Sequence, residues 1–232
     1  MVMLIAAGLV FLAIHLLVSG TRVRDAITGA IGEGPYMGLF SLASLLTLVW
    51  LVSSYNAAAS SPDNRVLYDL GRGVRDLGIP VVAIAFLLGI QGLFVPNPTA
   101  VKQGAAAAKD SNIRGVLRIT RHPFLWGVVL WSAFHVLANG DLASVIFFAS
   151  FLAVAFLGTF SIDAKRKRKL GAVWDAFAAK TSNVPFAAVA GGRNSLNLGE
   201  SLGRRFWLAA VVFVAILFAH AYLFHASPFP SG

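Results

Sequence analysis

The sequence predicts an all-α fold: a polytopic membrane helix bundle of about six transmembrane helices with both termini on the periplasmic side. Three observations carry this. Of 232 residues, 57% are hydrophobic and only 12% charged, against about 25% charged in a soluble domain. The apolar residues gather into six runs, each near the ~20 residues needed to cross a bilayer. Lys and Arg fall mainly in the loops of one side.

The first run, Met1–Gly20, lacks the positive start and small-residue cleavage site of a signal peptide, so it reads as a span. The next runs are Met37–Tyr55, Gly78–Val95, Pro123–Ala138, Leu142–Ile162 and Phe206–His225. With these spans, loops one, three and five share a side and hold sixteen Lys and Arg residues, among them Arg22, Lys102, Lys109, Arg121 and Lys165–Lys169. The other side holds three: Arg65, Arg72 and Arg75. The positive-inside bias therefore points both termini away from the cytoplasm. The chain reads as a single domain, 1–232, without repeats or low-complexity tracts.

Two loops are long enough for structure. Val66, Leu67, Leu70, Val74 and Leu77 lie opposite Arg65, Asp69, Arg72 and Asp76, a pattern that predicts a short helix on the outer membrane surface. Asp163–Lys180 carries Leu170, Val173, Trp174 and Phe177 on one face and a basic run on the other. It either extends the fifth helix or lies on the inner surface. Gly191–Gly203 reads as a flexible connector.

The net charge of +9 is concentrated in loops between spans. This favours contact with anionic lipid head groups over nucleic acid. With no cysteine in the chain, disulfides, thiolate metal ligands and thiol nucleophiles are excluded. No Asp, Glu, Lys or Arg lies mid-span, which argues against carboxylate-based ion transport.

What the spans do contain is histidine. His15, His135 and His220 lie well inside, His225 near the outer interface and His122 at the inner one. Neutral imidazole is a common ligand of haem iron. Intramembrane histidines without thiolates or carboxylates suit a bis-His haem better than zinc or iron-carboxylate sites. Depth alone pairs His135, ~18 Å from the cytoplasmic end of its helix, with His220 at ~21 Å rather than His15 at ~8–10 Å. His122 and His135 lie too far apart on one continuous helix to share a metal. Ser132 sits one turn before His135, on its face. A second constellation is Arg118-x-x-Arg121-His122-Pro123-x-x-x-Gly127. Pro123 should open a helix, with the arginines snorkelling or clamping an anion at its entrance. Asn139-Gly140-Asp141 should close that helix with a turn.

Three segments, HLLVSGTRVRD (His15–Asp25), RITRHPFLWGVVLWSAFHVLANGD (Arg118–Asp141) and SIDAKRKRKLG (Ser161–Gly171), together with the closing ASPFP, resemble the NnrU family of bacterial membrane proteins. That family includes the zeta-carotene isomerases, which bind haem b and isomerise a central cis double bond without net redox change. The resemblance implies haem b, with His15 and His135 as axial ligands and a role in catalysis. It also implies a lipophilic polyene or small gas as ligand and a bacterial inner (plasma) membrane location. The isomerases carry a cysteine where this chain has Ser132. The family name also allows a non-enzymatic accessory role in denitrification, with an unknown protein partner. A more distant likeness is to the isoprenylcysteine and phospholipid methyltransferases. It rests on Arg121-His122-Pro123, Gly127, Asp163, Gly171, Trp174 and Phe177, with Asp163 standing where those enzymes have Glu. It implies S-adenosylmethionine as an alternative cofactor, at Arg121 and His122.

Overall fold

A computed structural model describes residues 1–100, 103–108 and 112–229. Lys102 and Lys109, counted above on the basic side, and Pro230 of the closing ASPFP lie outside the described residues. The described chain is helical, and its one β-type pairing is an isolated bridge between Val66 and Asp141.

The helices are α1 (Val2–Leu12), continued by a π-helical stretch over Ala13–Val18, then α2 (Arg22–Ile31), α3 (Glu33–Ala59), α4 (Arg72–Asp76) and α5 (Gly78–Phe94). After a 3-10 turn at Gly104–Ala108 come α6 (Val116–Ile119), α7 (Pro123–Asn139), α8 (Leu142–Leu170), α9 (Ala172–Lys180), α10 (Ala187–Ala190), α11 (Leu198–Ser201) and α12 (Arg204–Phe224). Among the described residues, four helices are long and apolar enough to cross a membrane: α3, α4 with α5, α8 and α12. A fifth arises if Val2–Val18 and Arg22–Ile31, bent by 75°, count as one span. The expected fourth span, α7, is apolar but has only 17 residues.

Many apolar side chains of α3 and α12 point outward. Leu46 is 60% exposed and Val211 64%. Apolar side chains exposed along whole helices are what a lipid surroundings requires and water forbids.

The chain divides into two compact units. The first comprises Met1–Gly71 and Ser132–Ser161. In it α1 packs on α3. Gly8 makes room for Ser150 of α8, since a Cβ at Gly8 would lie 2.7 Å from the Ser150 hydroxyl. Tyr55 stacks on Phe147 and bonds Ser144. The turn after α7 forms as expected, with Gly140 at φ +68° and Asp141 accepting from the Ser144 N–H at 3.0 Å.

This turn corrects one expectation. The surface helix predicted over Val66–Leu77 is limited to Arg72–Asp76. Upstream, the backbone is extended and committed elsewhere: the N–H groups of Leu67 and Tyr68 donate to Gly140 O, and Arg65 O accepts from Leu142 N–H. Tyr68 approaches so closely that a Cβ at Gly140 would sit 2.0 Å from its carbonyl. Once those backbone groups are used in pairing, they cannot serve a helix.

The second unit comprises Arg72–Trp131 and Ile162–Gly232. In it α12 packs along α5, and α5 meets the first half of α7 almost backbone to backbone. A Cβ on Gly127 would lie 2.7 Å from Ala85 O and 2.8 Å from Gly89 Cα, and one on Gly92 would lie 2.6 Å from Phe124 N. Small residues that let helices approach this closely are a membrane packing device. Gly127→Leu is therefore expected to force α5 and α7 apart, costing more than the ~1–3 kcal/mol of ordinary overpacking. Gly38→Leu, on α3 with nothing within 4 Å of its Cβ position, should melt like the parent in the same detergent. Equal melting of the two variants would refute this account.

The basic fifth loop is more ordered than its composition suggests. α8 runs on to Leu170, Gly171 turns the chain at φ +53°, and α9 follows. Trp174 and Phe177 then pack with Ile113 and Ala107 in a small core, Leu170 against it.

Candidate functional site

Two polar constellations stand out, one in each unit.

In the first unit, His15 sits in the π-helical stretch. Its Nδ1 lies 2.8 Å from Phe11 O and its Nε2 3.2 Å from the Ser44 hydroxyl. A carbonyl can only accept, so Nδ1 carries the proton and donates to Phe11 O. Nε2 is left with its lone pair, which accepts from Ser44. The ring is otherwise walled by aromatics: Phe11 at 4.4 Å and Phe40 at 5.5 Å between centroids. His135, on α7, lies against Phe148 at 4.6 Å and edge-on to Phe134 at 5.9 Å. Ring contacts run unbroken between the two histidines: His15 to Phe11, Phe11 to Phe151 (5.3 Å), Phe151 to Phe147 (5.2 Å), Phe147 to Phe148 (5.1 Å) and Phe148 to His135. The structure thus sets His15 and His135 at opposite ends of one aromatic cluster. Ser132 is fully buried one turn before His135. His220 belongs to the other unit, where its Nδ1 donates to Ala226 O at 2.7 Å and its ring lies 4.8 Å from Phe224.

In the second unit, Arg121, His122 and Asp163 form one cluster. Asp163 projects from α8 and takes both Arg121 and His122. Arg121 Nε lies 3.0 Å from each carboxylate oxygen, and its Nη2 also donates to Oδ2. His122 Nε2 donates to Oδ1 at 2.7 Å. The arginine guanidinium sits 5.7 Å above the Trp174 ring, a cation–π contact. Its backbone is also pinned: the Arg121 N–H donates to Ser182 O, while Arg121 O accepts from Asn97 and Thr99 side chains at 3.1 and 3.0 Å. Pro123 opens α7, as its fixed φ and absent N–H predict.

His122 is 1% exposed, and its Nδ1 is buried without a hydrogen-bond partner among the described residues. Burial pushes its pKa below the ordinary value, overriding the Asp163 carboxylate that draws it up. The cluster is thus a neutral imidazole and an arginine sharing one carboxylate. It holds the mouth of α7 to α8, and its Nδ1 is closed to solvent.

A neighbouring ion pair went unread in the sequence. Arg118 grips Glu200 through two bonds, Nε to Oε2 at 2.8 Å and Nη2 to Oε1 at 3.0 Å. The Gly115 N–H adds a third to Oε2 at 2.9 Å. The hydrogen bonds from Arg118 hold the Glu200 carboxyl below its ordinary range. A depressed carboxylate adds stability that is fully present above its ordinary value of 4.5 and is lost as pH falls through the folded value. His122 acts in the same direction: its contribution is complete above 6.5 and declines as pH drops toward its folded value. Thermal stability in detergent should therefore fall between pH 7 and pH 4. Glu200→Gln should flatten only the lower part of that profile, by less than ~1 kcal/mol for so exposed a pair. A profile identical to the parent would contradict this.

Comparison with known proteins agrees on a family. The 15-cis-zeta-carotene isomerase of Zea mays chloroplasts is 29% identical over 111 residues, 48% of this chain and 30% of the relative. Its Arabidopsis thaliana counterpart is 30% identical over 82 residues, 35% of this chain and 22% of the relative. The matched segments thus span less than a third of either curated relative. No solved structure matches. The family described as NnrU protein matches residues 3–228, nearly the whole chain, and this protein belongs to it.

Proposed function

We propose that this protein acts on a lipophilic polyene in the manner of the zeta-carotene isomerases, using haem b held by His15 and His135. The observation that carries the reading is the tautomer of His15. Its Nδ1–H is fixed on the Phe11 carbonyl and its Nε2 lone pair is turned toward a hydroxyl. Axial histidines have the same arrangement, one nitrogen donating to a carbonyl and the other free for iron. The donor types fit haem iron, since both residues are imidazoles and the chain has no cysteine, but four phenylalanine rings stand between them, so holding one iron would require these side chains to move. The matches to two 15-cis-zeta-carotene isomerases support the substrate class.

When bound, the cofactor supplies a ferrous site at which a double bond can rotate without net oxidation. The chain's own part is to orient the ligands and exclude water. Phe11, Phe40, Phe147, Phe148 and Phe151 form an apolar aromatic lining that suits a polyene entering sideways from the bilayer. The basic side would face the cytoplasm, with both termini outside it.

Less supports S-adenosylmethionine at Arg121 and His122, because Asp163 already engages the guanidinium and the imidazole such a ligand would need. An accessory role in denitrification would give a co-purifying partner and no turnover, with haem or without it.

The test is an absorption spectrum of the purified protein, oxidised and reduced, after expression with ample haem. A Soret band is expected, together with loss of 15-cis geometry in an added polyene under reducing conditions. A colourless preparation would sink the haem reading.

A further inference from the structure

We propose that the cavity at the head of α12 binds a phosphate-bearing anion, and that its occupant is the headgroup of an anionic phospholipid. The cavity, about 390 Å³, is lined by Gln91, Val95, Arg114, Glu200, Arg204 and Arg205 among others. That lies within the ~300–1,000 Å³ range of small-ligand clefts.

Its charge is unbalanced in a specific way. The one carboxylate in the wall, Glu200, is already spent: Arg118 takes both its oxygens and the Gly115 N–H bonds one of them. Gly115 stands at φ +55°, and its missing Cβ leaves Glu200 O only 3.3 Å from where one would be. The wall is therefore closely fitted around that pair. The guanidinium groups of Arg114, Arg204 and Arg205 make no hydrogen bond or close ion pair among the described residues, although the Arg114 charge acts on Glu200 from a distance. Three guanidinium groups around one cavity repel one another, and an anion between them removes that repulsion. Guanidinium forks match phosphate oxygens with paired hydrogen bonds. The cavity also meets the first turn of a 21-residue helix with no side-chain cap at Gly203, where partial positive charge favours an anion.

The surroundings select a lipid over a free ion. Just beyond Arg205, α12 presents Trp207 (65% exposed), Leu208 and Val211 outward. A phosphate seated at the arginines would have acyl chains continuing along that apolar face. Positive-inside anchoring alone accounts for basic residues near an interface, but it requires no cavity and gives no saturable headgroup preference.

The experiment titrates the purified full chain in detergent, at about 0.15 M salt, with dihexanoyl phosphatidylglycerol, dihexanoyl phosphatidylcholine or inorganic phosphate. Binding is followed by thermophoresis. Saturable binding of the phosphatidylglycerol is expected, at least about tenfold weaker in Arg204→Gln/Arg205→Gln, as losing charge-assisted bonds predicts. Arg114→Gln, which leaves the Arg118–Glu200 pair intact, should weaken binding independently. Arg168→Gln/Lys169→Gln, at the end of α8, should bind like the parent. Phosphatidylcholine binding as tightly, or phosphatidylglycerol binding that ignores the arginine substitutions, would overturn the proposal. Inorganic phosphate binding as tightly as the lipid would support the oxyanion site but overturn the lipid assignment.

Discussion

Asp163→Ala should lower the stability of the second unit by about 3 kcal/mol, the lower end of the range for breaking a buried ion pair. The reason is what the substitution leaves behind. Arg121 is 14% exposed in its side chain and His122 not at all. Without the carboxylate, the guanidinium keeps, among the described residues, a long 3.5 Å bond to Thr181 O and the Trp174 ring. The His122 ring would then lack partners at both nitrogens. Replacing both members of a buried pair by apolar residues is often nearly neutral, whereas removing one is not. Arg121→Met in the Asp163→Leu background should therefore recover more than half of the loss. A double-mutant cycle by thermal melting in one detergent measures the coupling. If Asp163→Ala melted within about 1 kcal/mol of the parent, the cluster would be an exposed pair of little weight.

The second large effect concerns the haem reading. His15→Ala and His135→Ala should each abolish or strongly reduce the Soret band, because each would remove an axial donor. Ser44→Ala separates ligation from packing. Its hydroxyl bonds the same Nε2 lone pair that iron would use, so removing it should leave the band in place. His220→Ala, in the other unit, should leave it unchanged. If His15 matters only through its bond to Ser44, then His15→Ala and Ser44→Ala would destabilise alike and neither would change the spectrum. Haem content per protein, read with the reduced-minus-oxidised spectrum, decides between these outcomes.

How much of this was legible in the sequence depends on the range of the interaction involved. Pro123 opening α7 and Gly140 closing it follow from local backbone rules, and both appear in the structure. The six apolar runs likewise correspond to helical segments. Gly127 was readable as part of a motif but not as a spacer, because its reason lies on α5 at Ala85 and Gly89. Asp163 was legible beside Arg121 and His122 only through the methyltransferase likeness, which did not say that it bonds them. Its grip on Arg121 and His122 joins residues 41 and 42 positions away. Glu200 lies 82 residues from Arg118 in a stretch that reads as a flexible connector. The surface helix over Val66–Leu77 had the right periodicity, yet the backbone pairing with Gly140 took precedence over it. The choice between His15 and His220 by depth rested on helix ends alone. The aromatic contacts that link His15 with His135 depend on which faces meet, and hydropathy does not encode that.

The π-helical stretch at Ala13–Val18 carries a consequence for comparing related chains. Its closing bond, Ser19 N–H to Ile14 O at 3.0 Å, spans five residues instead of four. Such a bulge is one residue more than an α-helix of the same length holds. Upstream, Leu4, Ala7, Gly8 and Phe11 keep one buried stripe, whereas no residue of the bulge is fully buried. Deleting one residue there would restore regular winding and keep the flanking turns in phase, but the side chains within the stretch, His15 among them, would be redirected. His15 would then leave its bond with Ser44. In relatives aligned across this point, a single-residue gap would mark a change in which way the histidine faces, even where the histidine itself is retained.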